Sequence, residues 1–276
     1  MNKTIAVHGA TGSQGRPVAQ ALTSAGHAVR PLARATGVDL LDRASLDVAY
    51  DGADAVVLQL PLVYDERVLA MADNAARAAE AAGVDHLVIN TGGQMPPGPI
   101  GVPFVDARLH AAAADVPVVT VLQPTTYLEN LSGPWSAPLV GEGVLAYPLP
   151  GDVPLAWVAA ADVAIAVERA IARAAGGSFA LPGQPATGHE VAAVLGRVLE
   201  RPIGWESVAP DAYADMLRPH LGGHAADGTA AAYRMLAASP PAPLPDPSAA
   251  RGALDWAPRD IATWARDTRW PLARAA

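Results

Sequence analysis

At 276 residues, the chain is long enough for one large α/β domain or for a core domain with a smaller partner. Its residues are 51% hydrophobic, yet no uninterrupted apolar run reaches the ~20 residues of a membrane span, and a formal charge of −8 argues against binding nucleic acid by neutralising phosphates. The absence of cysteine excludes disulfides, thiolate metal sites and a cysteine nucleophile, and no metal site is expected.

The opening "MNKTIAV" enters a strand without the basic, apolar and cleavage regions of a signal peptide, so a cytoplasmic protein is the expectation. Thr4 to Val7 reads as a buried strand, followed by a glycine-rich turn and a helix from about Pro17 to Ala25. Ala28 to Leu32 reads as the second strand. "ADAVVLQLPL", "VDHLVINTGG" and "VPVVTVLQP" follow as apolar runs of strand length, with an alanine-rich helix before the second and a helix over "VPFVDARLHAAAADVP" before the third. Strands alternating with helices predict an α/β fold, a doubly wound parallel sheet covered on both faces. After Pro124, "SGPWSAPLVGEGVLAYPLPGDVPLAW" reads as loops lining a pocket, "AADVAIAVERAIARAAG" as a helix returning to the core, and "RDIATWARDTRW" as a final amphipathic helix. The resulting organisation is a nucleotide-binding domain over 1–130, with a helix near 160–175 packing back on it, and a smaller, partly interleaved lobe over 131–276.

"GATGSQG" places Gly9, Gly12 and Gly15 between a strand and a helix. The first glycine permits the tight turn, the second lets backbone approach a pyrophosphate, and the third lets the helix sit close to the strand. Thr11, Ser13 and Gln14 complete the turn. An NAD site usually ends its second strand with an acid that binds the ribose 2′-hydroxyl; here the end reads "LARATG", with Arg34 and no acid. A guanidinium there favours a 2′-phosphate, so NADP(H) is expected over NAD(H), with Arg16 and Arg30 as helpers. His8 reads as a structural histidine.

The order of "VHGATGSQGRPVAQALTSAGHAVRPLAR", "GVDLLDRASLDVAYDGADAVVLQLP", "AARAAEAAGVDHLVINTGG" and "VTVLQPTTYLENL" resembles the NmrA-like family of atypical short-chain dehydrogenases/reductases, and later segments up to "DWAPRDIATWARD" extend the likeness. The resemblance implies an NADP-binding Rossmann fold with a cleft between its lobes. It implies contacts to the cofactor from Asp39, near the adenine, and from the strand ends Leu60, Pro61, Asn90, Thr91 and Gly92. The family divides between reductases, quinone reductases among them, and cofactor-sensing regulators of transcription that bind protein partners.

The sequence departs from that pattern where chemistry is expected. The family's reductases usually carry a lysine that binds the nicotinamide ribose; counting back from Gln123 places it at Val105, with Phe104 and Asp106 beside it, and none can replace it. Gln123 itself stands where the family has arginine. Thr91 keeps a hydroxyl where serine is common. As alternative proton donors the sequence offers His110, four residues after Asp106 and so on its helix face, and Tyr127. Tyr64, Gln94, Met95, Phe104, Tyr127, Trp135, Tyr147 and Trp157 are expected to line the substrate cleft. The expected function is an NADPH-dependent reductase of a small aromatic or conjugated carbonyl or quinone, with a cofactor-sensing regulatory protein as the alternative and a non-redox cyclase or isomerase as a further one.

Overall fold

The run TIAVH forms β1 (Thr4–His8), in which Ile5, Ala6 and Val7 are fully enclosed, as in a parallel strand covered on both faces. The computed structural model describes residues 2–92, 114–239 and 243–271. β1 pairs in parallel with both β2 (Ala28–Leu32) and β3 (Ala55–Gln59). β4 (His86–Asn90), β5 (Val118–Pro124) and, much later in the chain, β9 (Gly177–Leu181) extend the sheet to the order β2-β1-β3-β4-β5-β9, parallel throughout. The order reverses direction between β1 and β3, so the carboxyl ends of these strands open onto a crevice.

Helices cover both faces. On one, α1 (Gly15–Ser24) and α5 (Ala160–Arg173) bury Val18, Leu22, Val163, Val167 and Ile171 against the sheet. On the other, α2 (Arg43–Tyr50) and α3 (Arg67–Ala81) bury Leu46, Tyr50, Val68, Ala72 and Ala75. The helix expected from Pro17 begins two residues earlier, at Gly15, and carries its proline within the first turn, where a missing N–H costs nothing.

The segment read as pocket loops holds regular structure: α4 (Ala137–Gly141), β7 (Val144–Tyr147) and β8 (Pro154–Val158). β8 is the centre of a three-stranded sheet between β10 (Gln184–Thr187) and β6 (Thr126–Tyr127), and β7 pairs with β11 (Gly204–Ser207). These strands are too short for a period-two pattern to stand out between prolines and glycines. α6 (Gly188–Val198) opens on a reciprocal capping box between Thr187 and Glu190. α7 (Pro210–Leu221) and α8 (Gly223–Ala238) form a helical hairpin for which the sequence had given no signal. Together with α10 (Ile261–Asp267), these elements enclose a second core around Leu145, Tyr147, Trp157, Leu195, Tyr213 and Trp264.

The lobes are stitched together. α9 (Ser248–Leu254) and Trp256 return to the core beneath α5, and the Trp256 indole donates to the Asp162 carbonyl at 2.8 Å. The buried Asp162 carboxylate accepts from the Arg259 guanidinium at 2.7 Å and from the Arg259 amide at 3.0 Å. Among the described residues no helix is long and apolar enough to cross a membrane.

Candidate active site

The glycine turn lies over the crevice. Gly9 takes φ +65°, and a Cβ on Gly15 would lie 2.2 Å from the Gly9 carbonyl oxygen, so the start of α1 can pack against the strand only without a side chain. The Gly12 amide donates to the Gly9 carbonyl at 2.8 Å, closing the turn. Thr11, Gly12 and Ser13 are exposed, no side chain caps α1, and its first turn carries no acid. Free amides, a helix dipole and exposed backbone fit a diphosphate. Arg16 folds its guanidinium onto the Thr11 carbonyl at 2.9 Å, at the edge of the turn.

Arg34 begins a short 3₁₀ turn after β2, its carbonyl accepting from the Gly37 amide at 3.0 Å; the residue is exposed, and its guanidinium makes no hydrogen bond or ion pair to the described residues. Arg30, expected as a helper, is committed elsewhere: its guanidinium donates to the carbonyls of Ala49 and Asp51, both at 2.7 Å, closing the end of α2. Asp39 caps its own turn, its carboxylate accepting from the Leu41 amide at 2.9 Å. Leu60 is buried, and Pro61 is half-buried beside it.

A chain of amides crosses the carboxyl ends of the strands. Gln59 donates to the Gln14 carbonyl oxygen at 2.7 Å, and Asn90 donates to the Gln59 carbonyl oxygen at 2.7 Å and to the Tyr127 hydroxyl at 3.2 Å. The Gly92 amide donates to Asn90 Oδ1 at 3.1 Å, which fixes which end of the Asn90 amide faces Gln59 and so the polarity of the whole chain. Thr91 turns its hydroxyl to the Leu122 carbonyl at 3.3 Å. Gln59 was not singled out in the sequence; its signal was an amide at the end of an otherwise apolar strand.

One cavity joins this edge to the second lobe. Ser13, Gln14 and Gly92 line its side at the glycine turn, and Tyr64, Thr125, Thr126, Tyr127, Asn130 and Trp135 line its middle. The far wall comes from the α7–α8 hairpin: Tyr213, Leu217, Leu221, Thr229, Ala232, Tyr233 and Leu236. The hairpin is held close by Tyr64, which donates to Thr229 Oγ1 at 3.2 Å, since the Thr229 proton goes to the Ala225 carbonyl.

Two residues expected at the cleft lie elsewhere. Tyr147 and Trp157 do not line the cavity: they are buried in the second core, in edge contact with each other at 5.5 Å, because β7 and β8 turn these faces inward. Trp157 donates to the Ala186 carbonyl, and Tyr147 shares a short hydrogen bond with Tyr233. Gln94, Met95, Phe104, Asp106 and His110 lie outside the described residues.

Burial sets the electrostatics. The Tyr127 phenol is pushed far above its ordinary range by burial, so it stays protonated and acts as a hydrogen-bonding group. Burial also raises Tyr147, to about 12, and takes Tyr213 and Tyr233 well above the usual tyrosine value. Glu129, next to the cleft residue Asn130, is raised to about 7 by burial, although it accepts from the Ala160 amide at 3.0 Å and the Trp264 indole at 3.2 Å. His8 is held neutral, lowered to about 4 by burial, with its Nε2 at 2.6 Å from the Tyr50 hydroxyl. The chain's one lysine, Lys3, immediately precedes β1, at the sheet edge opposite the glycine turn. Among the described residues no group of three or more histidines and acids is placed to hold a metal.

Comparison with known proteins places this geometry in context. Residues 1–227 match the NmrA-like family. A Streptomyces griseus protein named (4-alkanoyl-5-oxo-2,5-dihydrofuran-3-yl)methyl phosphate reductase is 36% identical over 228 residues, covering 75% of this chain and 78% of that protein. The structure of the Citrobacter sp. triphenylmethane reductase complexed with NADP(H) superposes with TM-score 0.71 at 19% identity, over 96% of this chain and 99% of that one. The Escherichia coli NADPH-dependent quinone oxidoreductase complexed with NADPH gives 0.68 at 24% identity, over 95% and 99%. NmrA, a negative transcriptional regulator in complex with NADP, gives 0.66 at 22% identity, over 96% and 95%, and its complex with NAD shares the fold as well.

Proposed function

Because the chain belongs to the NmrA-like family, we propose that it is an NADP(H)-dependent reductase of a small conjugated carbonyl compound or quinone. The observation that carries this reading is the continuity of the cavity: Ser13 and Gln14 of the glycine turn and Gly92 after β4 share it with the apolar hairpin, so a cofactor on the turn and an acceptor in the cleft meet. The turn amides with Arg16 would hold the diphosphate, and Arg34 a 2′-phosphate, which gives the preference for NADP(H). When bound, the nicotinamide supplies hydride.

The protein's part is to orient and to exclude water. Asn90, fixed between Gln59, Gly92 and Tyr127, sets the polar floor, while Leu217, Leu221 and Leu236 provide the apolar wall. A cleft whose described wall carries no lysine suits a conjugated acceptor. The negative charge left by its reduction is spread over carbonyl oxygens, and the proton comes from water. The name of the S. griseus relative fits, since it describes a ring alkene conjugated with two carbonyl groups.

The missing lysine equally favours a cofactor-sensing regulator, as does the likeness to NmrA. Following NADPH absorbance with quinones, acyl butenolides and simple ketones separates the readings. Oxidation by the conjugated acceptors and not by simple ketones is the expected outcome. Tight NADPH binding with no oxidation by any acceptor gives the regulator, and turnover of acceptor without an absorbance change gives a non-redox enzyme.

A further inference from the structure

We infer that the Gln14 amide nitrogen donates to the carbonyl oxygen of the acceptor, on which negative charge gathers during reduction; this rests on the reductase reading for its chemistry. The amide chain across the strand ends has a direction. A backbone N–H can only donate, so the Gly92 amide makes Asn90 Oδ1 an acceptor and leaves Asn90 Nδ2 to face Gln59. Gln59 Oε1 is thereby taken, and Gln59 Nε2 donates to Gln14 Oε1 at 2.7 Å. Each link fixes the next. The chain ends at Gln14 Nε2, whose two N–H groups hydrogen-bond to no described residue.

That end belongs to the cavity, which Gln14 lines together with Gly92 and Tyr127. A Cβ on Gly92 would lie 3.3 Å from Gln59 Nε2 and 4.0 Å from Gln14 Oε1, which sets both amides against the end of β4. Gln14 precedes α1 without capping it, so its side chain is committed to the crevice and not to its own helix. The exposed backbone of Thr11, Gly12 and Ser13 suits the diphosphate, which leaves the Gln14 side chain for a group lying over the strand ends. Amides joined head to tail polarise one another, so the last N–H is a stronger donor than an isolated amide.

A conjugated acceptor gains a C–H bond at its β carbon, with hydride drawn from NADPH, which is oxidised to NADP⁺. The alkene pair then joins the α carbon to the carbonyl carbon, and the carbonyl π pair moves onto oxygen. Water later supplies a proton to the α carbon. A donor already fixed at that oxygen binds more strongly as the charge develops and needs no reorganisation, which lowers the barrier.

Two variants separate the donor from the chain it ends. Gln14→Met removes the whole amide, while Gln14→Glu keeps an acceptor for Gln59 and removes the donor. 4-Nitrophenol stands in for the charged oxygen: it is bound to the protein saturated with NADP⁺, at the pH where half of the free probe is ionised, and absorbance reads the phenolate-to-phenol ratio. The unaltered protein is expected to hold that ratio about threefold or more above either variant. With a quinone and saturating NADPH, kcat should fall by about 10–100-fold in both variants, while Gln14→Met binds NADPH within about twofold of the unaltered protein. An unchanged ratio in Gln14→Met overturns the inference, as does failure of the probe to bind the unaltered protein. So does a Gln14→Glu protein with undiminished kcat. NADPH binding weakened about tenfold in Gln14→Met, with the ratio unmoved, assigns the amide to the cofactor and also overturns it. A shifted ratio without NADPH oxidation by any acceptor supports the donor and overturns the reductase reading alone.

Discussion

Asn90 shows how much of this site depends on single side chains. The sequence offered it as one of several strand-end residues; the structure gives its side chain four hydrogen bonds to three partners, Gln59, Gly92 and Tyr127, the last by both a donor and an acceptor contact. No sequence pattern marks such a chain, because its links come from β3, β4 and β6, and only the parallel register brings them to one edge. Tyr127 was read as a candidate acid. Its protonated, amide-bound hydroxyl suits positioning instead, so Tyr127→Phe should cost ~1 kcal/mol of stability and less than about tenfold in kcat with a quinone. A loss on the order of 10²–10⁴ in kcat would make it the general acid. The arginine that replaces an acid after β2 was legible from the sequence alone, and its consequence is separable. Arg34→Glu should weaken NADPH binding by about tenfold or more while leaving NADH binding nearly unchanged, as read by titration of both.

At the scale of elements, the glycine turn and the βα alternation were readable because their signals are local: turn, cap and period lie within a few residues. The α7–α8 hairpin was not. Its buried positions are mostly alanine, Pro219 interrupts α7, and Gly228 lies within α8, so no strong apolar stripe rises above the composition. Yet this hairpin forms the far wall of the cleft, and Gly228 explains how it sits. A Cβ there would lie 2.1 Å from Tyr64 Cδ2 and 2.5 Å from Cγ, close to the root of that side chain, which cannot swing away cheaply. Alanine normally favours a helix over glycine by ~1 kcal/mol. Here Gly228→Ala should instead destabilise by ~1–3 kcal/mol and raise the KM for the acceptor, because Tyr64 or the hairpin must move. Denaturant melts with paired KM measurements check this; a stabilised variant with unchanged KM would show that the contact does not shape the cleft. Tyr147 and Trp157 teach the complementary lesson. An aromatic in a Pro- and Gly-rich stretch looks like a cleft residue, but short strands can turn it into a core.

For the whole molecule, the sheet and the glycine turn at its edge followed from pattern, while the threading between lobes did not. β9 supplies the sixth strand of the large sheet after the chain has already left it, and Asp162 with Arg259 fastens the last segment to α5. Such long-range closures leave no local trace. They do leave buried titratable groups, and these give the molecule a pH signature. Burial lowers His8 and His86 to about 4, so between there and the ordinary histidine value of 6.5 the unfolded chain binds protons that the folded chain does not, and stability is lost as pH falls. Burial raises Glu129 from 4.5 to about 7, so the folded chain holds its proton over that window and stability is lost as pH rises. Two groups against one give a Tm that climbs to about pH 6.5 and declines beyond it, and Glu129→Gln should remove the decline. A Tm that rises steadily through neutrality would contradict that balance. The central claim, that cofactor turn and apolar cleft form one hydride-transfer site, is tested most directly by NADPH deuterated at C4 on both faces, incubated with an acyl butenolide or quinone. For a butenolide the account predicts product carrying one deuterium at the reduced ring carbon. For a quinone, whose label can exchange from oxygen, it predicts NADPH consumed in step with quinol formed. Bound NADPH that gives up neither deuterium nor reducing equivalents to either acceptor would contradict it.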